Sequence, residues 1–194
     1  PLLGLGLTGI AAGMLTLAYG FGTATYTLDR AAIDALPVEI DRAQIANVID
    51  ETFHSDVEFR EAVSSAIGAA NYSKHESALV SSAIDVNAVL VLFGILGFIA
   101  SFAVSIGPVM WVLFSELFPT RVRGMAISFV GLINSSIAFL VSLVFPWELE
   151  NLGNANTFLI YGIIAGLGTV FVMRILPETR GRSLEELERE LVRG

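Results

Sequence analysis

Four short stretches carry residues whose types and spacing could do chemistry. Gly107-Pro108-Val109-Met110-Trp111 sets a helix breaker beside an indole. Pro108 has no N–H, so the helical bond to the Val104 carbonyl is lost, and Gly107 loosens the backbone next to it. Trp111, one turn on, offers an aromatic face and one N–H donor. That combination stacks on the C–H face of a sugar and donates to its hydroxyls; a tryptophan at a membrane boundary uses the same two features. Asn134, followed by Ser135 and Ser136, is an amide that needs partners if its helix lies in lipid, either on neighbouring helices or on a substrate hydroxyl. Glu116-Leu-Phe-Pro119-Thr-Arg121-Val-Arg123-Gly124 puts an acid where one helix would end and an arginine where the next would begin, and Pro177-Glu178-Thr179-Arg180-Gly181 supplies a second charged pair. Both suit ion pairs that hold helix ends together in one state of a moving protein, and both suit ordinary interface residues.

Few other residues offer chemistry. The chain has no cysteine, which removes disulfides and thiolate metal sites. His54 and His75 stand alone, without carboxylates at ligand spacing, so they read as surface residues and no metal or cofactor is expected. Eleven Lys+Arg against 19 Asp+Glu give a net charge of −8, the wrong sign for a nucleic-acid partner.

The elements that must position these residues are set by where charge is absent. Of the 194 residues 54% are hydrophobic and 15% charged, with a mean hydropathy of +0.71. Residues 1–28, 86–115, 124–147 and 151–173 contain no Asp, Glu, Lys or Arg. A bilayer-spanning helix needs about 20 apolar residues, and each window passes. Four helices buried in a large soluble core would be the other explanation, but runs this long are rare there. The expected architecture is an all-α membrane protein with four transmembrane helices. These windows also lack histidine, so they hold no acid, base or metal ligand for an intramembrane enzyme.

Between the spans lie a polar segment at 29–85, short loops at 116–123 and 148–150, and a tail at 174–194. All seven arginines outside the polar segment fall in 116–123 and the tail. The positive-inside rule makes that side cytoplasmic and the segment 29–85 extracytoplasmic, with the lipid bilayer as an obligatory partner. The polar segment carries eleven acids against four bases. Ile45, Val48, Ile49 and Phe53 sit at helical spacing, Pro37 interrupts the lead-in, and Ser55-Asp-Val-Glu58 fits a capping box that would open a helix through about Ala69. The simplest reading is a solvated, partly helical insert without chemistry of its own. Gly9-x-x-x-Gly13 and Gly162-x-x-x-Gly166 would let helices approach closely. In the tail, Ser183-Leu-Glu-Glu186 with Leu184, Leu187 and Leu191 predicts a short amphipathic helix.

Gly107-Pro108-x-x-Trp111, Ser115-Glu116-x-Phe118-Pro119-x-x-x-Arg123-Gly124 and Pro177-Glu178-Thr179-Arg180-Gly181, in this order and separated by spans of this length, resemble the sugar porter family of the major facilitator superfamily. The resemblance implies the ninth to twelfth helices of a twelve-helix fold, opening on Pro1 at the edge of the ninth, with the preceding helices as the missing partner. It implies transport by alternating access in a plasma (inner) membrane rather than enzymatic chemistry. Trp111, Gly107 and Asn134 then fall where members line the sugar cavity. Glu116, Arg123, Glu178 and Arg180 match the family's cytoplasmic charge network. Met110, Ser135 and Ala103 depart from common family residues, which leaves the sugar open. Proton coupling is also open, because it rests in this family on a helix that this chain does not include. A same-fold carrier of a cyclitol or organic acid, and a non-transporting sugar sensor, are the alternatives.

Overall fold

The computed structural model describes residues 2–30, 44–118 and 120–175. Helix α1 (Leu2–Gly22) leads into β1 (Thr25–Thr27); then come β2 (Thr52–Phe53), α2 (Asp56–Ile67), α3 (Ala69–Ala83), β3 (Ile84–Asp85), α4 (Ala88–Val104), α5 (Ile106–Leu117) and α6 (Arg123–Ile175). Three of these stretches are long and apolar enough to cross a membrane: Leu3–Gly22, Ala88–Val112 and Arg123–Ile175.

The last run holds 53 residues, which at 1.5 Å per residue would be about 80 Å, far beyond a hydrocarbon core of about 30 Å. It is interrupted at Gly153, whose φ of 79° and ψ of 166° leave the helical region. Phe145 and Tyr161, each eight residues from Gly153, meet edge to face at 5.9 Å. The arms 123–152 and 154–175 therefore fold back on one another. The expected loop at 148–150 is corrected: Glu148, Leu149 and Glu150 are helical. None of them breaks a helix, and Gly153 is the first residue there that takes a positive φ without a Cβ penalty.

The expected first span, 1–28, is corrected in the same way. Its helix stops at Gly22, and Thr25-Tyr26-Thr27-Leu28 alternates as a strand does, with Tyr26 and Leu28 buried at 1% and 0% exposure. β1 is the centre of a three-stranded sheet of order β2-β1-β3, antiparallel throughout, with Tyr26 opposite Phe53 on one side and Ile84 on the other.

Two compact units make up the chain. One contains residues 15–94 and 147–160, including the polar insert. The described residues 44–85 of the insert close over a hydrophobic core with Ala24, Tyr26 and Leu28. Ser55 caps α2 by accepting from the Val57 amide at 3.2 Å. The helix ends at Ile67, and Gly68 (φ 84°) makes the corner into α3. Phe59, Val63 and Ile67 bury one stripe of α2, and Tyr72, Leu79 and Ala83 one stripe of α3. Phe59 stacks on Tyr26 at 5.6 Å and meets Phe53 edge-on at 5.9 Å. Three aromatic side chains at such distances form the part of this core most costly to truncate, about 3–5 kcal/mol for a buried phenylalanine.

In the other unit, which includes residues 95–146, the pattern is inverted: large apolar side chains face outward. Phe129, Leu132, Leu140 and Phe171 are each more than half exposed. A surface of this kind marks contact with lipid or with further helices. Within this unit α1 and α4 touch through small residues. A Cβ on Gly6 would collide with the Ser105 side chain, and one on Gly9 with Ser101. The close approach uses Gly6 and Gly9, one turn earlier than the Gly9/Gly13 pair expected from spacing.

Burial pushes the Tyr26 hydroxyl from 10.0 up to about 12, with Asp56 and Tyr72 nearby adding to the effect and the Asn154 amide opposing it. Burial also raises Tyr72, against the pull of the adjacent Arg60 guanidinium. A group whose pKa is raised on folding contributes stability below its unfolded value and loses it as pH rises through the folded value. The insert should therefore lose stability between pH 10 and about 12, and Tyr26→Phe should flatten that loss. Thermal melts followed by circular dichroism across this window check the expectation.

Candidate functional site

Helices α4 and α5 position the first group of candidate residues. Asn87 opens α4 by accepting the Leu90 amide at 3.1 Å. The helix then runs to Val104, turns at Ser105 and resumes at Ile106. The break lies just before the Gly107-Pro108 pair that predicted it. Pro108 has no amide to give the Val104 carbonyl, while the Val109 amide still reaches the Ser105 carbonyl at 3.0 Å. The bend therefore costs one helical hydrogen bond and leaves α5 intact. Ser105 is 1% exposed; its hydroxyl donates to the Ser101 carbonyl at 2.6 Å, and its side chain fills the space that Gly6 leaves open on α1. Gly6 thus leaves room for Ser105 at the break that precedes Gly107 and Trp111.

Trp111 lies in α5, half exposed at 50%. Asn134 lies midway along the 123–152 arm and is exposed. Both belong to the same compact unit, as do Gly107 and Arg123. The Asn134 amide behaves unlike other asparagines of α6. Asn151 and Asn156 each donate to the carbonyl four residues back, Trp147 at 2.8 Å and Leu152 at 2.9 Å. Its neighbour Ser136 does the same, to Leu132 at 2.9 Å. The Asn134 side chain has no hydrogen-bond partner among the described residues.

Of the expected charge network, Arg123 is described in full. It opens α6 and its Nε donates to the Phe118 carbonyl at 3.1 Å, a backbone contact that closes the turn between α5 and α6. Glu116 lies in the last turn of α5. Glu178 and Arg180, with the predicted tail helix, lie outside the described residues. His54 and His75 join no group of three or more potential metal ligands among the described residues.

Sequence reasoning missed a second polar constellation, in the unit that holds the insert. Asp56 Oδ2 accepts the Asn154 amide at 2.8 Å and the Asn154 side-chain Nδ2 at 2.6 Å. Arg60 pairs with Glu76 at 2.7 Å and reaches the Glu150 carbonyl at 3.4 Å. Asp56 was visible only as a first-turn acid of α2; its distant partner carries no local signal.

The description "Sugar (and other) transporter" belongs to the family that matches residues 62–191, about two thirds of the chain. Among curated proteins, the chain is 41% identical over 93 residues to solute carrier family 2, facilitated glucose transporter member 10 of Danio rerio, covering 48% of this chain and 18% of that protein. It is 48% identical over 94 residues to the glucose transporter GlcP of Staphylococcus epidermidis, covering 48% of this chain and 21% of that one. It is 46% identical over 85 residues to the probable metabolite transport protein CsbC of Bacillus subtilis, covering 44% and 18%. The chain spans about a fifth of the length of these relatives. No solved structure matches it.

The contact beneath the bend is testable. Gly6→Ala places a methyl group where Ser105 sits and should cost about 1–3 kcal/mol. Adding Ser105→Gly should recover much of that loss. Thermal melts of the two variants in detergent measure both effects.

Proposed function

The chain belongs to the sugar (and other) transporter family, and from that premise we propose that it is part of a twelve-helix carrier that moves a monosaccharide or related polyol across a membrane by alternating access. Such a carrier cuts no bond and needs no cofactor. The sugar sits near the bilayer midplane between two halves that rock about it. Trp111 stacks on the apolar face of the ring. Asn134 bonds a ring hydroxyl, and Gly107 keeps the backbone beside the bend open to the cavity. The observation that carries this reading is the Asn134 amide, exposed on an apolar helix and without a hydrogen-bond partner among the described residues. The relatives named as glucose transporters supply the substrate class.

In this reading the two arms of α6 are separate spans, giving four in all. The turn at 118–122 and the tail face the cytoplasm, as their arginines require. The insert and the Gly153 turn face the opposite side of the plasma (inner) membrane. Glu116, Arg123, Glu178 and Arg180 hold the cytoplasmic helix ends together while the carrier is open outward, and separate as it opens inward.

The test is uptake of a labelled monosaccharide and polyol panel by the full-length protein in cells that lack their own carriers. Uptake of at least one sugar is expected. Trp111→Ala and Asn134→Ala should each lower it about tenfold or more, as loss of one stacking or one buried hydrogen-bond contact does. Uptake unchanged by both variants would return Trp111 to the membrane boundary and Asn134 to helix packing.

A further inference from the structure

The insert is joined to the turn between the arms of α6 by a contact whose parts fit one another closely. Gly153 has a positive φ, and the next residue, Asn154, begins a helical arm whose first amides have no carbonyl of their own to bond. Asp56 fills that role from 98 residues away. One carboxylate oxygen accepts both the Asn154 backbone amide and its side chain, and the other accepts the Val57 amide at 3.1 Å. Asp56 is thus the first residue of α2 and the N-terminal cap of a second helix. A negative charge at a helix N-terminus is favoured by the exposed amides and the helix dipole.

Gly153 is needed for this approach. A Cβ there would collide with Asp56 Oδ1 and press on Val57 at 3.2 Å. Around the contact, Arg60 reaches the Glu150 carbonyl at 3.4 Å. Phe21, at the end of α1, stacks on Phe158 at 5.6 Å. Gly20 lies against Val91 and Leu90 of α4, where an added Cβ would stand 3.2–3.3 Å away. Releasing Asp56 would leave a carboxylate and two amide donors unpaired beside the buried Tyr26.

We propose that Asp56 and the Gly153–Asn154 turn form a clamp that stays closed through the transport cycle, so that the insert, this turn and the adjoining ends of α1 and α4 move as one body. The proposal rests on the transporter reading above. It gives the acidic insert a mechanical role: it adds a polar tie to helix ends that otherwise meet through apolar contacts and the β1–β3 pairing. Opening on that side of the membrane then happens between this body and helices beyond residues 1–194, and not within it.

The experiment uses the full-length protein with native cysteines replaced; this chain contributes none. Nitroxide labels go on Glu61→Cys and Asn151→Cys, two exposed positions outside the contact, and pulsed dipolar spectroscopy reads their separation. One narrow distance peak, unchanged by a saturating transported sugar, is expected. A second, longer peak that appears with sugar would overturn the proposal. Asp56→Ala and Asn154→Ala should each broaden the peak toward longer distances without sugar present. An unchanged peak in both would show that Asp56 is not the clamp. Uptake measured on the same preparations keeps the two readings apart, because absence of transport condemns the carrier assignment while the sugar-free variants still judge the clamp.

Discussion

A polypeptide surrounded by hydrocarbon has no water to satisfy its polar groups, and several hydroxyls in the apolar helices of this chain turn inward to their own backbone. Thr8 donates to Gly4, Ser142 to Ala138 and Thr169 to Ala165, each at 2.8 Å. A helix built this way is self-sufficient, and its large side chains can face outward at no cost in polar bonding. Departures from self-sufficiency then become informative. Three stand out: the lost bond at Pro108, the reversal at Gly153, and the Asn134 amide. The first breaks the hydrogen-bond ladder beside an indole, the second calls in a carboxylate from another element, and the third has no side-chain partner among the described residues.

The insert follows the opposite rule, and its amphipathic helices show why. α2 and α3 each bury one stripe and expose charge on the other, as helices do when water covers one face. Their buried stripes meet Tyr26 and Leu28, which emerge directly from the end of α1. Gly22 ends the apolar helix, and within a few residues the alternation begun at Thr25 starts a sheet. The sheet is small, yet it fixes where α1 ends and α4 begins, because β1 pairs with β3 immediately before Asn87 caps α4.

What the sequence revealed and what it hid divide along the same line. Long charge-free runs are a property of composition, so the apolar helices were legible, as was the bend near Gly107-Pro108, whose cause is a missing donor within a few residues of the effect. The Ser55 cap was legible for the same reason. The strand at Tyr26 was hidden because an uncharged window cannot separate helix from strand. Thr25 and Thr27 carry no charge, so the window ran on to Leu28. The position of the hairpin was hidden because Glu148 and Glu150 mark polarity, while the chain reverses where backbone dihedrals permit. Of the candidate site, residue types and order could be read. The coupling of Asp56 to Asn154 could not, since neither residue is unusual in its own neighbourhood.

The two kinds of break in these helices differ in what they demand of the rest of the protein. Pro146 lies inside α6 and the helix continues through it. Proline removes one donor and keeps φ right-handed, so the helix bends at most and needs no outside support. Pro108 acts in the same way. Gly153 is different. Its positive φ ends the helical ladder and exposes the first amides of the arm that follows. Asp56 meets those amides from the insert, and its close approach excludes a side chain at the turn. The other positive-φ glycine among the described residues, Gly68, turns α2 into α3 with no side-chain cap and open space around it. A glycine reversal thus leaves amides that water or a side chain can meet, and at Gly153 it is Asp56 that meets them.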